Sequence, residues 1–124
     1  MPIYYERHDA ARRLVIISSG HVTFEEVRDT LDRQASDGIW SYAALWDARE
    51  ALTDPTADEL RRMVLYVGGL TASRGPRGPV AIVASTESFA RMCRMYAGLG
   101  HLTALRVQIF GTLEQAEAWL DQER

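Results

Sequence analysis

Leu105-Arg-Val-Gln-Ile-Phe-Gly-Thr-Leu-Glu-Gln-Ala-Glu-Ala-Trp-Leu120 is the stretch from which the rest of the chain is read. Arg106-Val-Gln-Ile-Phe110 alternates polar and apolar residues, the pattern of a strand with one less covered face, which suits a sheet edge. Gly111-Thr112 breaks the strand, and Thr112 with Gln115 has the spacing of a capping box. Leu113, Ala116, Trp119 and Leu120 then recur at helical spacing. A strand therefore feeds straight into an amphipathic helix.

The same step occurs twice upstream. Tyr42-Ala-Ala-Leu-Trp-Asp47 and Val80-Ala-Ile-Val-Ala84 are apolar on both alternations, as strands covered on both faces are. After Asp47 comes a loop, and Thr56 with Glu59 opens a helix with Leu60, Val64, Val67 and Thr71 on its inner side. After Ala84, Ser85 or Thr86 caps a helix with the stripe Phe89, Met92, Cys93 and Tyr96, which Gly98 and Gly100 end. Between these units, Ala72-Ser-Arg-Gly-Pro-Arg-Gly-Pro79 is too rich in Gly and Pro to remain helical. It reads as a mobile surface loop with Arg74 and Arg77 solvated.

Toward the N-terminus, Ile3-Tyr-Tyr-Glu6 and Leu14-Val-Ile-Ile17 are strand-like and joined through the polar segment around His8-Asp-Ala-Ala11, which implies an antiparallel hairpin. Ser18-Ser-Gly-His21 reads as a loop. Thr23 with Glu26 opens a first helix, Phe24, Val27, Leu31 and Ala35 share one face of it, and Gly38 stops it. The order is β-β-α-β-α-β-α-β-α. It predicts an α/β protein with a mixed, mostly parallel five-stranded sheet, an N-terminal hairpin and right-handed crossovers.

At 124 residues, with 47% apolar and 25% charged side chains, one domain spanning 1–124 is expected, with a core that needs neither disulfide nor metal. The single cysteine, Cys93, excludes an internal disulfide framework. A net charge of -3 makes no electrostatic case for nucleic acid. No apolar run approaches the roughly 20 residues of a membrane span, and Met-Pro-Ile-Tyr-Tyr-Glu-Arg lacks a signal-peptide layout, so a cytoplasmic location is expected. All 14 basic residues are Arg, which reads as GC-rich codon usage rather than selection for anion clamps.

With the third strand ending in Leu45-Trp-Asp-Ala-Arg49 and the chain closing on Val107-Gln-Ile-Phe-Gly-Thr-Leu-Glu-Gln-Ala-Glu-Ala-Trp-Leu120, the sequence resembles the SpoIIAA-like branch of STAS-type domains. These are bacterial proteins related in fold to anti-sigma-factor antagonists and, distantly, to lipid-carrying SEC14 (CRAL-TRIO) domains. The resemblance covers essentially the whole chain. It implies a mixed sheet flanked by helices and no established enzymatic activity. STAS antagonists carry a phosphorylatable serine in an Asp-Ser-Ser-Gly-like turn. Here Asp47 remains, but Ala48-Arg49-Glu50 replaces the Ser-Ser-Gly, so the phosphoserine does not carry over and Thr53 and Thr56 are the residual phosphoacceptor candidates.

Ligands of open α/β sheets bind where strands end and helices begin. That rim collects Asp47, Arg49, Ser85, Thr86 and Thr112, a candidate site for a small anionic ligand at helix N-termini. The competing reading makes each hydroxyl a helix cap contributing about 1 kcal/mol, with Glu50, Asp54, Asp58 and Glu59 repelling an anion. Ser19, His21 and Asp47 could form a catalytic set only if geometry joins them, and no nucleophile elbow is present. His8, His21 and His101 lack metal-ligand spacing. Met63, Val64, Leu65, Tyr66 and Val67 are apolar all round the second helix, so Met63, Tyr66 and Leu70, if exposed beside Leu65, would form a partner surface.

These observations favour a non-enzymatic interaction or regulatory module with no cofactor, whose partner is another protein or a second copy in a homodimer. The alternative is a carrier or sensor of a small apolar, lipid-like or anionic ligand, and a catalytic role ranks third. A carrier needs an enclosed apolar cavity of several hundred cubic ångströms, and 124 residues leave little volume once the sheet is packed.

Overall fold

In the computed structural model, which describes residues 2–101 and 105–123, the elements follow the predicted order: β1 (Ile3–His8), β2 (Arg13–Gly20), α1 (Phe24–Ser36), β3 (Ala43–Ala51), α2 (Ala57–Arg74), β4 (Val80–Val83), α3 (Glu87–Gly100), β5 (Val107–Phe110) and α4 (Leu113–Gln122). Among the described residues they form one five-stranded sheet in the order β1-β2-β3-β4-β5. Antiparallel β1 pairs with β2, Ile3 opposite Ser18, and the remaining neighbours are parallel. Asp47 lies opposite Val83, so the two apolar strands run side by side in the middle of the sheet. β5 is an edge strand, as its alternation predicts.

The helix starts are made by the residues their spacing singled out. At Thr23 and at Thr56 the hydroxyl accepts the backbone N–H three residues on, while Glu26 or Glu59 accepts the cap's own N–H. Thr86 and Thr112 accept from Phe89 N and Gln115 N, but among the described residues the reciprocal bond of a full capping box, expected also from Gln115 to Thr112, is made only at Thr23 and Thr56. Each satisfies a donor that helix geometry leaves free. Gly38, at φ 75, takes the left-handed position just past α1.

Pleating divides the core. Leu14 and Ile16 of β2, Ala44 of β3 and Val80 of β4 are buried on one sheet face. Beneath α1, α2 and α3, Leu31, Leu60, Val64, Val67 and Tyr96 close over that side. On the other face α4 brings Ala116 and Leu120 against Leu45, Ala81 and Val83, and Trp119 meets Phe110 at 5.8 Å between ring centroids. Among the described residues no helix is long and apolar enough to cross a membrane.

Several boundaries differ from the expectation. β2 continues through Ser18 to Gly20, where a loop was expected, and β3 continues past Asp47 to Ala51. The extensions pair with each other, Ser19 opposite Glu50 and Gly20 opposite Ala51. Backbone bonds lengthen them where no apolar pattern announces a strand. α2 runs on through Ala72 and Ser73 of the segment expected to be non-helical and ends at Arg74, where Gly75 N donates to Thr71 O at 2.9 Å.

The segment after it is not a solvated loop. Arg77, Gly78 and Pro79 are buried, because Gly78 N donates to Trp40 O and the chain lies flat on the residues entering β3. A Cβ at Gly78 would stand 2.3 Å from Tyr42 O and 2.4 Å from Ser41 O, so this close approach requires glycine. The supposed α2 surface also closes. Met63 is buried and Tyr66 and Leu70 are partly buried, because α1 packs there and the Tyr66 hydroxyl donates to Asp32 of α1. Leu65 alone of that group stands clear, 76% exposed.

Candidate functional site

At the rim, the structure brings Asp47, Arg49 and Ser85 together. Asp47 accepts the Arg49 backbone N–H at 3.1 Å, its Nε–H at 2.9 Å and Nη2–H at 2.8 Å, and Ser85 Oγ donates to Arg49 O at 2.8 Å. Those bonds from Arg49 hold the Asp47 carboxyl below its ordinary range, outweighing the burial that would raise it. The forked geometry uses the guanidinium inside the chain. Arg49 is therefore already committed and is a poor clamp for a free anion.

The other rim residues do not join that cluster. Thr56, Thr86 and Thr112 are engaged as caps, and Thr112 starts α4, on the opposite face of the sheet. Thr53 Oγ1 lies 2.7 Å from His21 Nδ1. His21 is thus bonded to Thr53 and Asp47 to Arg49, and among the described residues no hydrogen bond joins the two. Beside Ser85 and Thr86 lies a polar hollow of about 170 Å³, where Arg94 pairs with Glu87 at 3.1 Å. Among the described residues no group of three or more His, Cys, Asp or Glu could hold a metal ion.

A second space lies beneath the crossover helices. Its volume is about 180 Å³, somewhat larger than the roughly 150 Å³ apolar cavity that takes up benzene in a well-studied engineered protein. Phe24, Val27 and Leu31 come from α1, Leu60 and Met63 from α2, and Phe89, Cys93 and Tyr96 from α3. Trp46, Val80 and Ile82 form the floor on the sheet. These side chains meet because each helix turns its apolar stripe to the same sheet face.

The polar atoms of this lining are mostly engaged. Trp46 Nε1 donates to Ser18 Oγ at 3.1 Å, leaving the indole ring as apolar surface. The buried Cys93 thiol is pushed up to about 12, first by burial and then by the charge of Asp54, and is neutral. Ala51, Thr53, Asp54 and Pro55 stand at the end where β3 finishes. Arg77 lines the far end, just before β4 begins.

Arg77 was missed by the sequence reading, which left it in solvent. It is 7% exposed, with its guanidinium over the Trp40 ring at 4.9 Å and Nη2 3.5 Å from Gln34 Oε1. Gln34 Nε2 donates in turn to Ile39 O at 3.1 Å. One signal was available: Gln34 falls between Leu31 and Ala35 on the buried stripe of α1, and a polar side chain there demands a buried partner.

A five-stranded mixed sheet with three crossover helices on one face and a closing helix on the other defines an α/β protein of SpoIIAA/STAS-like fold. No protein-family model and no curated protein matches the chain. Among solved structures, an anti-sigma factor antagonist from Mycobacterium paratuberculosis aligns with a TM-score of 0.64 at 16% identity, covering 96% of this chain and 92% of that one. An uncharacterized DUF3478-family protein with a SpoIIAA-like fold, from Shewanella loihica, aligns at 0.57 with 21% identity, covering 95% of this chain and 91% of that one.

Proposed function

We propose that this chain is a non-enzymatic regulatory module of STAS type that senses a small apolar molecule held between α1, α2, α3 and the sheet. The observation that carries this reading is the cavity of about 180 Å³, walled by apolar side chains from three helices and open at the rim. A void of that size in a core this small forfeits packing contacts, and an occupant restores them. Because α1 and α2 supply much of the wall, occupancy acts directly on how these helices sit. A protein partner, or a second copy of the chain, that docks on their outer surfaces would read the change. The likeness in fold to an anti-sigma factor antagonist supports a regulatory role. The rim cluster supports ligand binding less well, since Arg49 is bonded to Asp47.

Thermal unfolding with octan-1-ol and with octanoate tests this. At a hundredfold excess over Kd a bound ligand adds about 2.7 kcal/mol, a rise in Tm on the order of 10 °C for a domain of this size. At least one of the two is expected to raise Tm, and Val27→Trp, which fills the cavity, is expected to abolish the rise. No rise with either compound contradicts the proposal.

A further inference from the structure

Arg77 is buried in an apolar surround, and no carboxylate pairs with it among the described residues. Its Nε–H has no hydrogen-bond partner, and the Gln34 contact, at 3.5 Å, is long. Trp40 faces the guanidinium and offsets part of the cost of burial, and the Tyr96 hydroxyl is a further polar neighbour. Arginine does not shed its proton to escape such a place, so an uncompensated cation lines the cavity at the end where β4 begins. A buried charge without a counter-charge is strongly destabilising. An incoming anion would supply what the chain lacks.

Resting on the reading that the cavity holds a ligand, we propose that its occupant is a small hydrophobic monocarboxylate, bound head-inward with the carboxylate on Arg77 and its apolar body along the α1–α3 wall. A guanidinium fork matches the two oxygens of a carboxylate. One cation balances one negative charge, whereas a phosphate monoester brings about -1.5 to -2 and would leave charge buried. The volume admits a body somewhat larger than a benzene ring. Asp54 and Glu59 line the same space and disfavour an anion held at their end, so the charges orient the ligand with its head toward Arg77.

Calorimetric titration with octanoate, octan-1-ol and octylamine decides the matter. The wild-type chain is expected to bind octanoate at least tenfold tighter than octan-1-ol, with octylamine weakest. Arg77→Met is expected to reverse the order of octanoate and octan-1-ol. If that variant fails to fold, the wild-type ranking still decides. Octan-1-ol binding as tightly as octanoate overturns the carboxylate inference and leaves the cavity reading standing. Binding of none of the three overturns both.

Discussion

At Asp47 the carboxylate accepts three bonds from one residue, Arg49, and the consequence is a pH dependence. Its native pKa is depressed, so the stabilisation is complete above the unfolded value near 3.9. It is lost as pH falls through the native value. Arg49 remains 44% exposed, and solvent screening limits the effect to about 1 kcal/mol. Urea denaturation between pH 7 and pH 2 should show the wild type losing more stability than Asp47→Asn, the two curves converging in acid. Parallel curves would show that the pair contributes nothing. Asp47 was legible as a polar residue closing an apolar run at the rim, although β3 continues past it to Ala51. The burial of Arg77 was not, because a charged side chain between Pro76 and Gly78 carries no apolar signature. Only its packing on Trp40, distant in sequence, takes it out of water.

At the scale of elements, the helix starts were the most legible features, because a Thr-x-x-Glu or Thr-x-x-Gln spacing records a local bond independent of tertiary packing. Strand ends were less so. Ser19 and Gly20 pair with Glu50 and Ala51, and pairing beyond helix cover leaves no hydrophobic trace. Glycine shows the same divide within α2 and the segment after it. Gly69 is exposed in the helix with nothing within 4 Å of an added Cβ, and Gly69→Ala should stabilise by about 0.5–1 kcal/mol. Gly78→Ala drives a methyl into two backbone carbonyls that cannot swing aside, and a cost of about 3 kcal/mol or more is expected. Paired urea titrations check both signs, and a neutral Gly78→Ala would contradict the tight approach of this segment to Ser41 and Tyr42.

For the molecule as a whole, the order of elements along the chain and the mostly parallel sheet followed from alternation and connection length. The cavity could not be read that way, since it exists only once α1, α2 and α3 lean on one face of the sheet. Met63 illustrates the point. In sequence it belonged to an all-apolar stretch that suggested an exposed surface, whereas in the fold it is buried under α1 and lines the cavity. Met95, two residues after Cys93, stays 43% exposed. These two methyl groups report on opposite environments within one protein. Titration of methionine-methyl-labelled protein with octanoate, followed by NMR, therefore tests the central claim most directly. The Met63 resonance should shift to saturation while Met95 stays fixed; a stationary Met63, or equal movement of both, would contradict a ligand site beneath the crossover helices.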